Sequence, residues 1–138
     1  MGCEIYLHIE VKIANKWHHY GSPDINRNYR LFTLLCGFRN VCGIKPIKIP
    51  NGLPKDMSII TEISLNLDQG YHSFCTFSYK DIKKLDKRIN EIRYKDDEDD
   101  ESVDLEDILN SHLFRNTFVD ADLIKEIQDV RFIFWFDS

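Results

Sequence analysis

Met1-Gly2-Cys3-Glu4-Ile5-Tyr6-Leu7-His8-Ile9-Glu10, continued by Val11-Lys12-Ile13, alternates polar and apolar residues without a break from Glu4 onward. Successive strand side chains point to opposite faces, so Ile5, Leu7, Ile9, Val11 and Ile13 share one face, and Glu4, Tyr6, His8, Glu10 and Lys12 share the other. Two carboxylates, an imidazole and a phenol on the second face describe either a solvated surface or the floor of a binding site.

Working outward, the other end of the chain reads Val130-Arg131-Phe132-Ile133-Phe134-Trp135-Phe136, apolar on both sides apart from Arg131. A strand buried on both faces belongs inside a sheet, so the two terminal strands are predicted to pair at its centre. Ala14-Asn15-Lys16 is a tight connection from the first strand to a partner, Trp17-His18-His19-Tyr20. Asp24 is a good N-cap for a helix ending at Gly37, with Ile25, Tyr29, Phe32 and Cys36 at helical spacing beside Leu31, Leu34 and Leu35.

From Phe38 to Pro54 the chain is irregular, broken by Gly43, Pro46, Pro50, Gly52 and Pro54, and suits a lid, a pocket wall or a dimer contact. Met57 to Leu67 fits neither period cleanly and reads as a helical turn passing into a short strand. A strand around His72 to Phe77 leads to a helix with a capping-box-like start, Ser78 and Asp81, and a buried stripe of Ile82, Leu85, Ile89 and Ile92. The acidic run over 96–102 is predicted to be a mobile loop, because so many like charges cannot pack together. Val103 to Leu113 suggests a short helix, and Asp120-Ala121-Asp122 caps another through Ile127. The fold class is therefore α+β: one domain over 1–138, an antiparallel or mixed sheet with the N- and C-terminal strands central and helices packed on it.

Composition bounds the function. At 138 residues, 43% hydrophobic and 30% charged, with nine Phe, six Tyr and two Trp, the chain can fill a well-packed core. No apolar run approaches the roughly 20 residues of a membrane span, so a cytoplasmic protein without membrane contact is expected. Tyr6 stands where a myristoylation signal wants Ser or Thr. Cys3, Cys36, Cys42 and Cys75 show no Cys-x-x-Cys spacing and read as reduced, packed thiols. A net charge of −5 argues against general nucleic-acid binding.

Three constellations carry chemistry. Glu4, His8 and Glu10, with His18, His19 and His72 elsewhere, are of metal-ligating type, but no compact ligand motif supports a site. No metal and no cofactor are expected, and the face is read as solvated or hydrogen-bonded. Arg27-Asn28-Tyr29-Arg30 and Arg39-Asn40 put guanidiniums and amides around the first helix, where Arg forks and free helix amides suit phosphate. Tyr6, His8, Glu10, Arg27, Asn28, Arg39, Asn40, His72 and Ser73 are the candidate ligand-binding residues. No catalytic residue is assigned: adjacent strand residues face opposite ways, so His72 is not expected to activate Ser73. Trp17, Tyr20, Phe74 and Trp135 suit base stacking or core filling.

These residues carry a resemblance. The opening Met1 to Glu10, then Trp17 and Tyr20, Arg27-Asn28-Tyr29-Arg30-Leu31-Phe32, Phe38-Arg39-Asn40 and Gly52-Leu53-Pro54-Lys55-Asp56-Met57-Ser58 resemble, in that order, a family of short phage and prophage proteins. His72-Ser73 and the closing Val130 to Asp137 complete the likeness. The family opens Met-Gly-Cys-Asp-Ile-His; here Glu4 replaces the Asp, Tyr6 the His, and Phe74 a second His after the His-Ser pair. If those histidines serve catalysis or metal binding, this chain lacks part of the machinery, which favours binding without turnover. The resemblance implies a protein of the host cytosol during infection. By analogy with other small phage proteins, the leading expectation is counter-defence: sequestration of a nucleotide immune messenger, a cyclic nucleotide or ADP-ribose derivative, by a homo-oligomer with pockets near subunit contacts. The rivals are a phosphodiesterase using His8, His72, Glu4 and Glu10, and an acidic protein-binding or DNA-mimic inhibitor working through Asp96 to Asp107.

Overall fold

The alternating segment forms β1, Ile5–Ile13, in the computed structural model, which describes residues 2–25, 27, 29–38, 45–95 and 123–137. Ala14 and Asn15 both take left-handed backbone angles, φ 51° and 63°. Two consecutive positive φ values make the two-residue turn whose twist matches that of paired strands, and β2, Lys16–Gly21, returns antiparallel to β1. Gln128 holds this turn from across the sheet: Asn15 N–H donates to Gln128 Oε1 at 2.8 Å and Gln128 Nε2 donates to Asn15 Oδ1 at 3.2 Å.

Four further elements precede the last strand: α1, Tyr29–Cys36; α2, Ile59–Leu65; β3, His72–Ser78; and α3, Tyr79–Lys95. The last strand, β4, spans Ile127–Phe136. The sheet order is β2-β1-β4-β3 and every neighbouring pair is antiparallel. The terminal strands are thus central, with Ile5 opposite Phe136 and Val11 opposite Val130. Every residue from Val130 to Phe136 is buried, as two-sided burial requires.

One face of the sheet makes the main core. Ile5, Leu7, Ile9 and Val11 meet Phe132, Phe134, Phe136, Cys75 and Phe77, and against them pack Leu31, Phe32, Leu34, Leu35 and Cys36 of α1 and Ile82 and Leu85 of α3. The start of α3 is the predicted capping box: Ser78 N–H donates to Asp81 Oδ2 at 2.9 Å and Asp81 N–H to Ser78 Oγ at 3.1 Å. Gly37, at φ 80°, ends α1 as predicted. Cys3, Cys36 and Cys75 are buried free thiols.

Several expectations are corrected. The first helix does not start at Asp24: Ser22–Ile25 is irregular, Ile25 already packs on the core, and the helix begins at Tyr29. Met57 to Leu67 contains α2 and a following turn, with no strand. Ile127 belongs to β4, because it pairs with Ile13. The acidic run 96–102, the segment Val103 to Leu113 and Asp120-Ala121-Asp122 lie outside the described residues.

Candidate functional site

The second face of the sheet is not open. His8 and Glu10 are 6% and 0% exposed, because α2 lies over them. Glu10 sits opposite Arg131, and its Oε1 accepts from Arg131 Nε at 2.8 Å and Nη2 at 2.6 Å. Its Oε2 accepts from Ser58 N–H at 2.9 Å and Thr61 Oγ1 at 2.7 Å. Burial alone would raise the Glu10 carboxyl, but the hydrogen bonds from Ser58, Thr61 and Arg131 outweigh it and hold the group below its ordinary value. Arg131 also donates to Asp56 Oδ1 at 2.8 Å and lies 4.0 Å over the Trp17 ring. Glu10 therefore ties α2 to the sheet, and its carboxylate is fully engaged in doing so. This corrects its place among the ligand-binding residues.

His8 lies two positions nearer the end of this face and stacks on Trp135 with ring centroids 5.2 Å apart. Its Nε2 meets Ser64 Oγ of α2 at 2.9 Å. Its Nδ1 meets His19 Nε2 of β2 at 3.0 Å and Ser22 Oγ at 2.7 Å. Burial first, and then the neighbouring His19, lower the His8 pKa to about 4, with Glu10 opposing weakly. Burial likewise lowers that of His19, so the pair is neutral at pH 7.

A cleft opens where β2 leaves β1. The β1–β2 register shifts between Ile9 and Glu10, and the ladder stops at Gly21. A bulge of this kind bends the chain away, so the Ile5–His8 half of β1 keeps β4 on one side and, among the described residues, has no ladder partner on the other. The resulting space, about 410 Å³, is walled by Glu4, by Tyr6 and His8 of β1, by Ser22, Asp24 and Ile25, and by Ser64. At its mouth Arg27 forms an ion pair with Glu4, both half-exposed. Asp137 fixes the floor: it accepts from Glu4 N–H at 2.8 Å and from Tyr6 Oη at 2.7 Å. That acceptance by Asp137, and then burial, raise the Tyr6 phenol.

The structure thus brings Tyr6 and His8 to one cleft, with Arg27 paired to Glu4 of its wall. Asn28, Arg39 and Asn40 lie outside the described residues. His72 is on the opposite face, in register with Phe136 and packed against Phe38 at 5.0 Å. Ser73 overturns one expectation. The β3–β4 register shifts between His72 and Cys75, Ser73 takes φ 57°, and its Oγ comes 3.0 Å from His72 Nδ1. Strict alternation had separated the two, and a bulge brings them together. Ser22, Ser64 and Asp137 carry no periodic signal, which is why the pattern did not find them. Among the described residues, no three His, Cys, Asp or Glu side chains converge as a metal cage would require, and no helix is long and apolar enough to cross a membrane. Comparison with protein-family models, curated proteins and solved structures finds no match.

Proposed function

We propose that this protein binds a small nucleotide-like ligand in the β1 cleft and holds it without turnover. The observation that carries the reading is the cleft, of a volume suited to one small ligand and walled by polar groups from β1, α2 and the Ser22–Ile25 segment. The carboxylates of Glu4 and Asp24 accept hydrogen bonds from ribose hydroxyls or base amino groups. Tyr6 offers a ring for stacking, and Arg27 at the mouth offers its fork to phosphate. In the phage setting that the sequence resembles, such binding would sequester an immune messenger in the host cytosol.

A homo-oligomer is part of the proposal, supported by α2, which exposes Ile59, Ile60 and Ile63, at 70%, 49% and 55%, beside the cleft wall. The hydrolase reading has one observation in its favour, the His72–Ser73 contact on the opposite face.

One experiment separates them. The purified protein is mixed with a panel of cyclic nucleotides and ADP-ribose derivatives, then denatured by heat, and the released compounds are weighed by mass spectrometry. Intact nucleotide retained by the native protein, at least tenfold more weakly in Arg27→Ala, is the expected result. Altered nucleotide, lost in Ser73→Ala, would transfer the function to the His72–Ser73 pair.

A further inference from the structure

Three donor atoms converge in the wall of the cleft. His8 Nδ1, His19 Nε2 and Ser22 Oγ form a triangle with edges of 3.0, 2.7 and 3.2 Å. At neutral charge only the Ser22 hydroxyl proton and one imidazole proton are there to serve three contacts. In the tautomer that donates Nε2–H to Ser64 Oγ at 2.9 Å, His8 directs a single lone pair at both of its other neighbours. One edge of the triangle is therefore left without a proton.

We propose that His8 Nδ1 and His19 Nε2 bind one divalent transition-metal ion of the zinc, cobalt or nickel class, with Ser22 Oγ as a weak third donor. Borderline cations of this kind prefer imidazole nitrogen, whereas magnesium and calcium prefer oxygen. A tetrahedral ion with bonds of about 2.0–2.1 Å keeps its ligand atoms about 3.3 Å apart, so the shortest edge has to widen by only about 0.6 Å. The surroundings fit a ligating histidine. Its second nitrogen is held by a hydroxyl, and its ring lies against the fully buried Trp135. Asp24 lines the same cleft and adds negative charge that favours a cation, whereas the charge of Glu4 is offset by its ion pair with Arg27. This departs from the expectation of a metal-free protein, in which Glu4, His8 and Glu10, with His18, His19 and His72 elsewhere, showed no compact ligand motif. Glu10 is consumed by Arg131, and the second imidazole comes from the neighbouring strand, where His19 lies opposite Glu10 and so shares its face. The inference does not depend on which nucleotide, if any, the cleft accepts.

The test uses the untagged full chain, stripped with chelator and titrated with Co²⁺ or Zn²⁺ alone. The expected result is one equivalent bound at low-micromolar affinity, with the visible absorption of a four-coordinate cobalt ion. His19→Ala should weaken binding at least tenfold while the metal-free melting temperature changes little, since His19 is only half-buried. Ser64→Ala, which frees the orienting contact, should weaken it by roughly 10–100-fold. His18→Ala, exposed and on the alternate face of β2, should leave it unchanged. Absence of binding up to millimolar metal, or binding that survives His19→Ala undiminished, would overturn the proposal. Neither result would bear on nucleotide retention, which is measured without added metal.

Discussion

At the scale of single residues, the second face of the sheet is governed by desolvation. Glu10 is fully buried and hydrogen-bonded at both oxygens, so Glu10→Gln removes the buried charge partner of Arg131 and leaves it only the exposed carboxylate of Asp56. Breaking a buried pair from one side costs about 3–5 kcal/mol, and a drop of that size in urea unfolding is expected. His8 gives the pH dependence. Its folded pKa of about 4 lies below the 6.5 of an ordinary imidazole, so between those pH values the unfolded chain binds a proton that the folded protein refuses. The stability of the metal-free protein therefore falls as pH drops from about 6.5 to 4, by about 3 kcal/mol from this residue. Unfolding midpoints measured at pH 7 and pH 4.5 should show the slope, and His8→Gln should flatten it. Trp135 is a third case: it is fully buried, yet among the described residues its indole N–H has no hydrogen-bond partner. Trp135→Ala should cost roughly 3–5 kcal/mol from the lost volume. Trp135→Phe, which also deletes the unsatisfied donor, should cost about 2 kcal/mol or less.

At the scale of elements, two bulges decide where chemistry can sit, and neither is visible in the alternation of residues. The one between Ile9 and Glu10 peels β2 from β1 and makes the cleft. The one between His72 and Cys75 turns Ser73 to φ 57° and onto His72. A left-handed angle costs a non-glycine residue roughly 1–2 kcal/mol, and glycine loses about 0.5–1 kcal/mol of that advantage through chain entropy. Ser73→Gly is therefore expected to stabilise the protein by about 0.5–1 kcal/mol in chemical denaturation. A loss instead would mean that the His72 contact outweighs the strain. The strands themselves were legible, because alternation in β1 and two-sided apolarity in β4 follow directly from burial. So was the Ser78–Asp81 cap, a local exchange of hydrogen bonds. The start of α1 was misread because Asp24 is a good N-cap by type, whereas Ile25 is drawn into the core before the helix begins. The burial of Glu10 was illegible for another reason. It depends on Ser58 and Thr61 arriving from some 50 positions away.

At the scale of the whole molecule, the fold rests on a pairing between segments far apart in sequence. β4 lies between β1 and β3, and its two faces supply the floor for α1 and α3 on one side and the Trp135–His8 layer on the other. Among the described residues, β4 buries more apolar side chains than any other element, and a two-stranded hairpin alone is at best marginal in water. Closing β1 onto β4 also means ordering a long intervening chain before those contacts form, which makes folding slow for a chain of this size. A chain ending at Asp129 should consequently lack the core altogether. It is expected to show no cooperative unfolding transition and no near-ultraviolet circular dichroism from its packed aromatic residues. If that shortened chain still unfolds cooperatively, β4 is not the centre of the structure. The cleft, whose floor is fixed by Asp137, and the Trp135 support of His8 would then both need another explanation.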